Sequence, residues 1–260
     1  MSALSLRGPA WVTAREHRGT GWSFLIFLIV ATGTVIALRT GAGDLPRTGG
    51  TGTPPADAQA PPWLTTVVAV VGGALLLLPM AAGAFMAGPA VGRTLERGSY
   101  QLLWTQSVTP VRWLVAQFVV PASALTAGSA VLIGCYRIGR ARVIAEETDA
   151  FTWYDGAVFP TLGPVTVAYT LLALAVGALV GLLLRREVAA MAVTLAIAAG
   201  FLVVGARVRG LLWPGPNPSG TEHPASSHFW PLQLMETGIV LAIAALVTAA
   251  AFQVLRRKHG

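Results

Sequence analysis

Residues 163–206 read GPVTVAYTLLALAVGALVGLLLRREVAAMAVTLAIAAGFLVVGA. Two apolar blocks, 163–184 and 188–206, flank Arg185, Arg186 and Glu187. A helix needs about 20 predominantly apolar residues to cross ~30 Å of hydrocarbon, and each block is close to that length. The charged residues between them suffice only for a tight turn. The stretch therefore predicts an antiparallel helical hairpin through a bilayer.

The rest of the chain follows the same pattern. Of 260 residues 54% are hydrophobic and 11% are charged, against about 25% charged in a soluble domain. Four further apolar blocks lie at about 22–38, 64–87, 114–136 and 235–255. None of the six has a charged residue near its centre, where one would cost about 2.5–3.5 kcal/mol on insertion scales. The expected fold is all-α: a polytopic membrane protein with six transmembrane helices plus short amphipathic interfacial helices. Residues 1–21 form an N-terminal cytoplasmic interfacial segment and residues 22–260 the six-span domain. Block 22–38 also has the basic approach of a signal peptide. The small-residue sites in ADAQA (56–60) lie too far beyond it for cleavage, so it reads as an uncleaved span.

The net charge of +7 does not point to nucleic acid here, because its placement matters more than its sum. With the N-terminus inside, eleven Arg and Lys residues flank the cytoplasmic ends of the spans and seven the outer ends. The excess predicts both termini in the cytoplasm. Seventeen of the eighteen basic residues are Arg, and the chain is rich in Ala and Gly, as in proteins of GC-rich bacteria.

Chemistry-bearing patterns are sparse. Lys258 is the sole lysine, so no G-x-x-x-x-G-K-[ST] phosphate loop can form. One cysteine, Cys135, permits no internal disulfide, and the four histidines have no metal-ligand spacing. The chain is expected to be no enzyme and to hold no cofactor. Glu236, at the outer start of the last span, reads as an interfacial carboxylate facing water in preference to a substrate or proton site. Gln117 reads as a hydrogen-bonding group between helices. Gly177 and Gly181 form a G-x-x-x-G pair that lets a second backbone approach closely, for dimerisation or for packing within the chain. Residues 39–62 and 207–231 read as Gly- and Pro-rich outer loops, the second ending in HFWP with Trp213 and Trp230 at headgroup depth.

Between the second and third spans lies AGPAVGRTLERGSYQLLWTQSVTPVRW, residues 87–113. Pro89 suits the first turn of a helix on which Val91 and Leu95 share a face. Gly98 can end it in a left-handed conformation, and Ser99 can cap a second helix. In that helix Tyr100, Leu103, Trp104, Ser107 and Val108 recur with helical period. Pro110 breaks the pattern, and Arg112 and Trp113 anchor the third span. Two short amphipathic helices at the cytoplasmic surface result, suited equally to lipid and to a protein groove.

This run resembles a segment of a bacterial ABC transporter permease family, the type-2 exporter branch, most specifically in WTQS (104–107). WVTAREHR (11–18) is similar to that family's N-terminal start, residues 159–195 to its fourth and fifth spans, and FWPLQLMETGIV (229–240) to the start of its sixth. Thr94 stands where the family pattern has an acidic residue. The resemblance implies a permease subunit in the bacterial plasma membrane. It pairs with a second copy, as homodimer or heterodimer, and binds a separate ATP-binding cassette subunit through loop 88–112. The docking residues it implies are Arg93, Leu95, Glu96, Arg97, Tyr100, Leu103, Trp104 and Gln106, with Arg15 and Arg18 of the N-terminal segment. The competing readings are a non-transporting membrane subunit or sensor that docks a cytoplasmic regulator, and a membrane-embedded enzyme. The last would need a reactive cluster at one depth, and the sequence offers none.

Overall fold

The computed structural model describes residues 83–98, 109–144, 158–212 and 228–259, together with residues 70–77 and the single positions Gly33, Thr66 and Ala81. The described residues are helical or turn, with no strand among them. Residues 70–77 are helical, and a π-helical turn, Gly83–Ala87, leads directly into α1, Gly88–Glu96. There follow α2 (Pro110–Ile144), the short α3 (Val158–Thr161), α4 (Val165–Leu184), α5 (Glu187–Leu212) and α6 (Phe229–His259).

Four helices, rather than six, are long and apolar enough to cross a membrane among the described residues: α2, α4, α5 and α6. The expected span 22–38 lies outside the described residues except for Gly33. Span 64–87 is described only in part, and its last five residues form the π turn. The other four expected spans each coincide with one of these helices; 163–184 matches α4 within two residues, and the remaining three are too short. The third extends from Pro110 to Ile144 in place of 114–136, which puts Arg137 on a helix and not in a loop. The sixth begins at Phe229 and not at 235, so Trp230 and Pro231 form its first turn. A polar flank ends a span on a hydropathy scale, whereas the backbone continues its hydrogen bonding into the interface.

The central helix is α4. About 72% of its most apolar window is buried, against 17% for α5 and 22% for α6. It packs on α6 most extensively, and also on α1, α5, α2 and the π turn. It is mostly Ala, Leu, Val and Gly, and small residues let neighbouring backbones come close without a hydrophobic force between spans. α5 and α6 turn their remaining faces outward, with Val203 at 60% exposure and Leu246 at 71%. Such faces suit lipid. α2 is initiated by the order Thr109–Pro110: the Arg112 N–H donates to Thr109 Oγ1 at 3.4 Å, and proline occupies the first helical position, where no donor is needed.

Candidate functional site: the junction of α1 with the α4–α5 turn

α1 was expected at the membrane surface. The structure buries it instead: Gly88 through Gly92, Thr94 and Leu95 are inside, packed on α4 and α5. The reason is its composition. A Cβ built at Gly177 of α4 would stand 2.8 Å from the Gly83 carbonyl oxygen and 2.9 Å from the Gly88 nitrogen. One at Gly181 would stand 2.8 Å from the Gly88 oxygen and 3.2 Å from the Gly92 nitrogen. The G-x-x-x-G pair of α4 thus faces a second such pair, Gly88 and Gly92, inside the same chain. Gly92 also passes the turn closely, since a Cβ there would lie 3.2 Å from the Arg186 oxygen. The partner pair is visible in the sequence as GPAVG, but a four-residue spacing does not reveal which helix it meets.

Side chains then fasten α1 to the start of α5. Arg93 donates to both carboxylate oxygens of Glu187, with Nε to Oε2 at 2.9 Å. Glu96 Oε2 accepts the backbone N–H of Glu187 at 2.9 Å. That N–H belongs to the first turn of α5, where the helix dipole favours a carboxylate. Thr94, where an acidic residue was expected from the resemblance, donates instead to the Ala90 carbonyl within α1. Gly98 does end the helix at φ 67°, and its N–H donates to the Leu95 carbonyl at 3.3 Å. Below α1, Val91 and Leu95 share one apolar cluster with Trp113, Leu114, Leu182 and Leu255. Trp113 therefore anchors α2 by packing on protein.

Of the docking residues implied by the resemblance, the structure places Arg93, Leu95 and Glu96 in contacts within the chain and leaves Arg97 exposed beside them. Tyr100, Leu103, Trp104, Gln106, Arg15 and Arg18 lie outside the described residues. The exposed basic residues Arg97, Arg112, Arg185, Arg186, Arg256 and Arg257 lie at this end of the helices.

The opposite end holds a second polar cluster that sequence reasoning did not assemble. Glu236 does not face water; it is 3% exposed. Arg209 of α5 grips it with two guanidinium nitrogens, Nε to Oε2 at 2.9 Å and Nη2 to Oε1 at 3.1 Å, and Tyr169 of α4 donates its hydroxyl to Oε1 at 2.9 Å. The Arg209 guanidinium also stacks 4.3 Å from the centroid of Phe159. Gly205 makes room, for a Cβ there would fall 1.9 Å from the Tyr169 oxygen. Gln233 ties the same end together: its Nε2 donates to the Phe159 carbonyl at 2.6 Å and its Oε1 accepts the Val165 N–H at 3.4 Å. Arg137 of α2 lies 5.0 Å over the Trp230 ring, joining α2 to the start of α6. Beside Tyr169 and Arg209 a groove of about 220 Å³ runs between Leu76, Pro160, Leu202 and Val203.

The arrangement is mechanical in kind: a short helix seated on the central span and fastened to a helix start. Comparison with known families places it. The sequence profile described as ABC-2 membrane transporter related matches residues 24–209, which include α1, α2, α4 and most of α5. No curated protein matches the chain significantly. With well over half of its residues in that match, the chain belongs to the ABC-2 membrane transporter related family.

Proposed function

We propose that this chain is the membrane-spanning permease subunit of an ATP-driven exporter, driven by a separate ATP-binding cassette subunit that docks on the loop 88–112. The observation that carries the reading is the seating of α1. Its backbone lies against the α4 backbone across Gly177 and Gly181, and its side chains hold the start of α5. A push on this loop therefore has a stiff path into the spans, because contact between backbones leaves no side chain to yield. In this reading the end bearing the α4–α5 turn is cytoplasmic. The basic residues gathered there support that orientation. The chain has six spans in the bacterial plasma membrane and pairs with a second permease copy. ATP is bound and hydrolysed in the partner, and this chain needs no cofactor of its own.

The test is co-purification. Trp104→Ala and Leu103→Asp, at the aromatic centre of the loop, should abolish recovery of an ATPase subunit with the tagged chain. An ATPase that still co-purifies with both variants at the parent level overturns the docking role. Pure chain alone should show no ATP turnover.

A further inference from the structure

The groove of about 220 Å³ beside Tyr169 and Arg209 is graded from inside to outside. Its floor is buried and is formed by Pro160, Tyr169 and Arg209. Leu76 and Leu202 line it at intermediate depth, and Val203 stands exposed at its mouth, toward lipid. Its volume falls below the roughly 300–1,000 Å³ of a pocket for a drug-sized ligand, and suits one slender hydrocarbon chain. The floor adds no net charge, because Arg209 is paired with Glu236. The charge at the mouth comes from Arg207, which is exposed and has no carboxylate partner among the described residues. Arg207 follows Val203 by four residues and so shares its face of α5, one turn nearer the helix end. A helical side chain covers the turn before its own Cα, which directs Arg207 back toward the mouth.

The depths agree with a lipid. α5 begins at Glu187, beside the charged turn. At 1.5 Å per residue Arg207 lies about 30 Å further along, one thickness of the hydrocarbon core, and so at the opposite headgroup level. Leu202 and Val203 lie about 6–8 Å inward of it, among the acyl chains. We infer that this groove is a binding site for one membrane phospholipid with a net-anionic headgroup, one acyl chain lying along Leu202 and Val203 and the phosphate held by Arg207. The groove by itself gives little preference, since lipid tails are as apolar as its walls. Selectivity comes from the headgroup: a guanidinium forms paired hydrogen bonds with phosphate oxygens, and a zwitterionic lipid brings its own cation to compete. A drug-sized cargo would need a larger space, and a zwitterionic or uncharged lipid would leave Arg207 unmatched. The inference goes beyond the permease reading and does not rest on it, for it needs neither ATP nor a partner subunit.

The experiment is native mass spectrometry of the full chain, delipidated in detergent and titrated with three lipids carrying the same two oleoyl chains. These are phosphatidylglycerol, phosphatidylcholine and diacylglycerol. The parent should retain a first equivalent of phosphatidylglycerol about fivefold more tightly than phosphatidylcholine, and diacylglycerol least, the preference expected of one arginine near a membrane surface. Arg207→Ala should lower phosphatidylglycerol to the level of phosphatidylcholine. Val203→Trp and Ala206→Trp add bulk from two exposed positions that line the groove, and should remove the first equivalent of all three lipids. Leu246→Trp, on the exposed face of α6 away from the groove, should bind as the parent does. Both groove variants binding like Leu246→Trp overturns the site and leaves only general lipid contact. Phosphatidylglycerol preference undiminished in Arg207→Ala overturns the headgroup assignment, as does diacylglycerol bound as tightly as phosphatidylglycerol by the parent. Thermal transitions within a few degrees of the parent show that the variants are folded. Because no ATPase is present, failure here is separate from failure of docking.

Discussion

Arg209 and Glu236 meet through two hydrogen bonds, at 2.9 and 3.1 Å, between helices that make little other contact. Both side chains are nearly inaccessible, at 8% and 4%. In such surroundings a charge deprived of its partner keeps its desolvation penalty and gains nothing in return.

Glu236→Ala and Arg209→Ala should each destabilise the chain by about 3–5 kcal/mol. Arg209→Met combined with Glu236→Leu should lose much less, because no charge is then left unpaired. Denaturant titration in mixed detergent micelles, followed by circular dichroism, would rank the three. A double variant as unstable as either single alanine would contradict the pairing.

The Arg93–Glu187 pair should behave differently. Its side chains are partly exposed, so Arg93→Ala should change stability by less than about 1 kcal/mol in the same titration. A loss as large as that at Arg209 would mean that α1 supports the fold as a buried element does.

Gly177→Ala should destabilise by about 1–3 kcal/mol, since the added carbon meets backbone atoms that cannot rotate away. Gly200→Ala is the matched control. Nothing lies within 4 Å of a Cβ there, and alanine is the better helix former by about 1 kcal/mol, so it should be neutral or stabilising. Equal effects at the two positions would argue against the close approach of α1 and α4.

Arg185 has φ 53° and ψ 27°, a left-handed conformation in which its N–H donates to the Gly181 carbonyl at 3.1 Å. Glycine is the usual residue at such a helix end. Arg185→Gly should therefore stabilise the hairpin by about 1 kcal/mol, read as a higher thermal midpoint in detergent. A lower midpoint would mean that the exposed guanidinium has a contact worth more than the strain.

What the sequence disclosed divides by range. The hairpin across Arg185–Glu187, Pro89 in the first turn of α1 and the left-handed Gly98 are all local matters, and each is present. Hydropathy locates the spans but stops at the polar flanks, which is why 114–136 and 235–255 leave out Arg137 and Phe229, both of them helical. Long-range pairing was not legible. Glu236 looked like an interfacial carboxylate because its partners stand 27 and 67 residues away, at Arg209 and Tyr169. Likewise Gly177 and Gly181 announced a close approach without naming Gly88 and Gly92 as what approaches. The aromatic part of the loop, Tyr100 to Gln106, was the clearest functional signal in the sequence and lies outside the described residues.

The turn at Arg185–Arg186 has a geometric consequence. Two residues joining α4 to α5 hold the near ends of the two helices together, so a tilt of α5 against α4 is hinged at that turn. For an arm of about 33 Å, a swing of only ~5° carries the tip ~3 Å, by the rise of 1.5 Å per residue. That travel is about the length of one hydrogen bond. Near Ala190 the same swing moves the backbone by only about 0.4 Å, so the displacement is greatest where Arg209 meets Glu236.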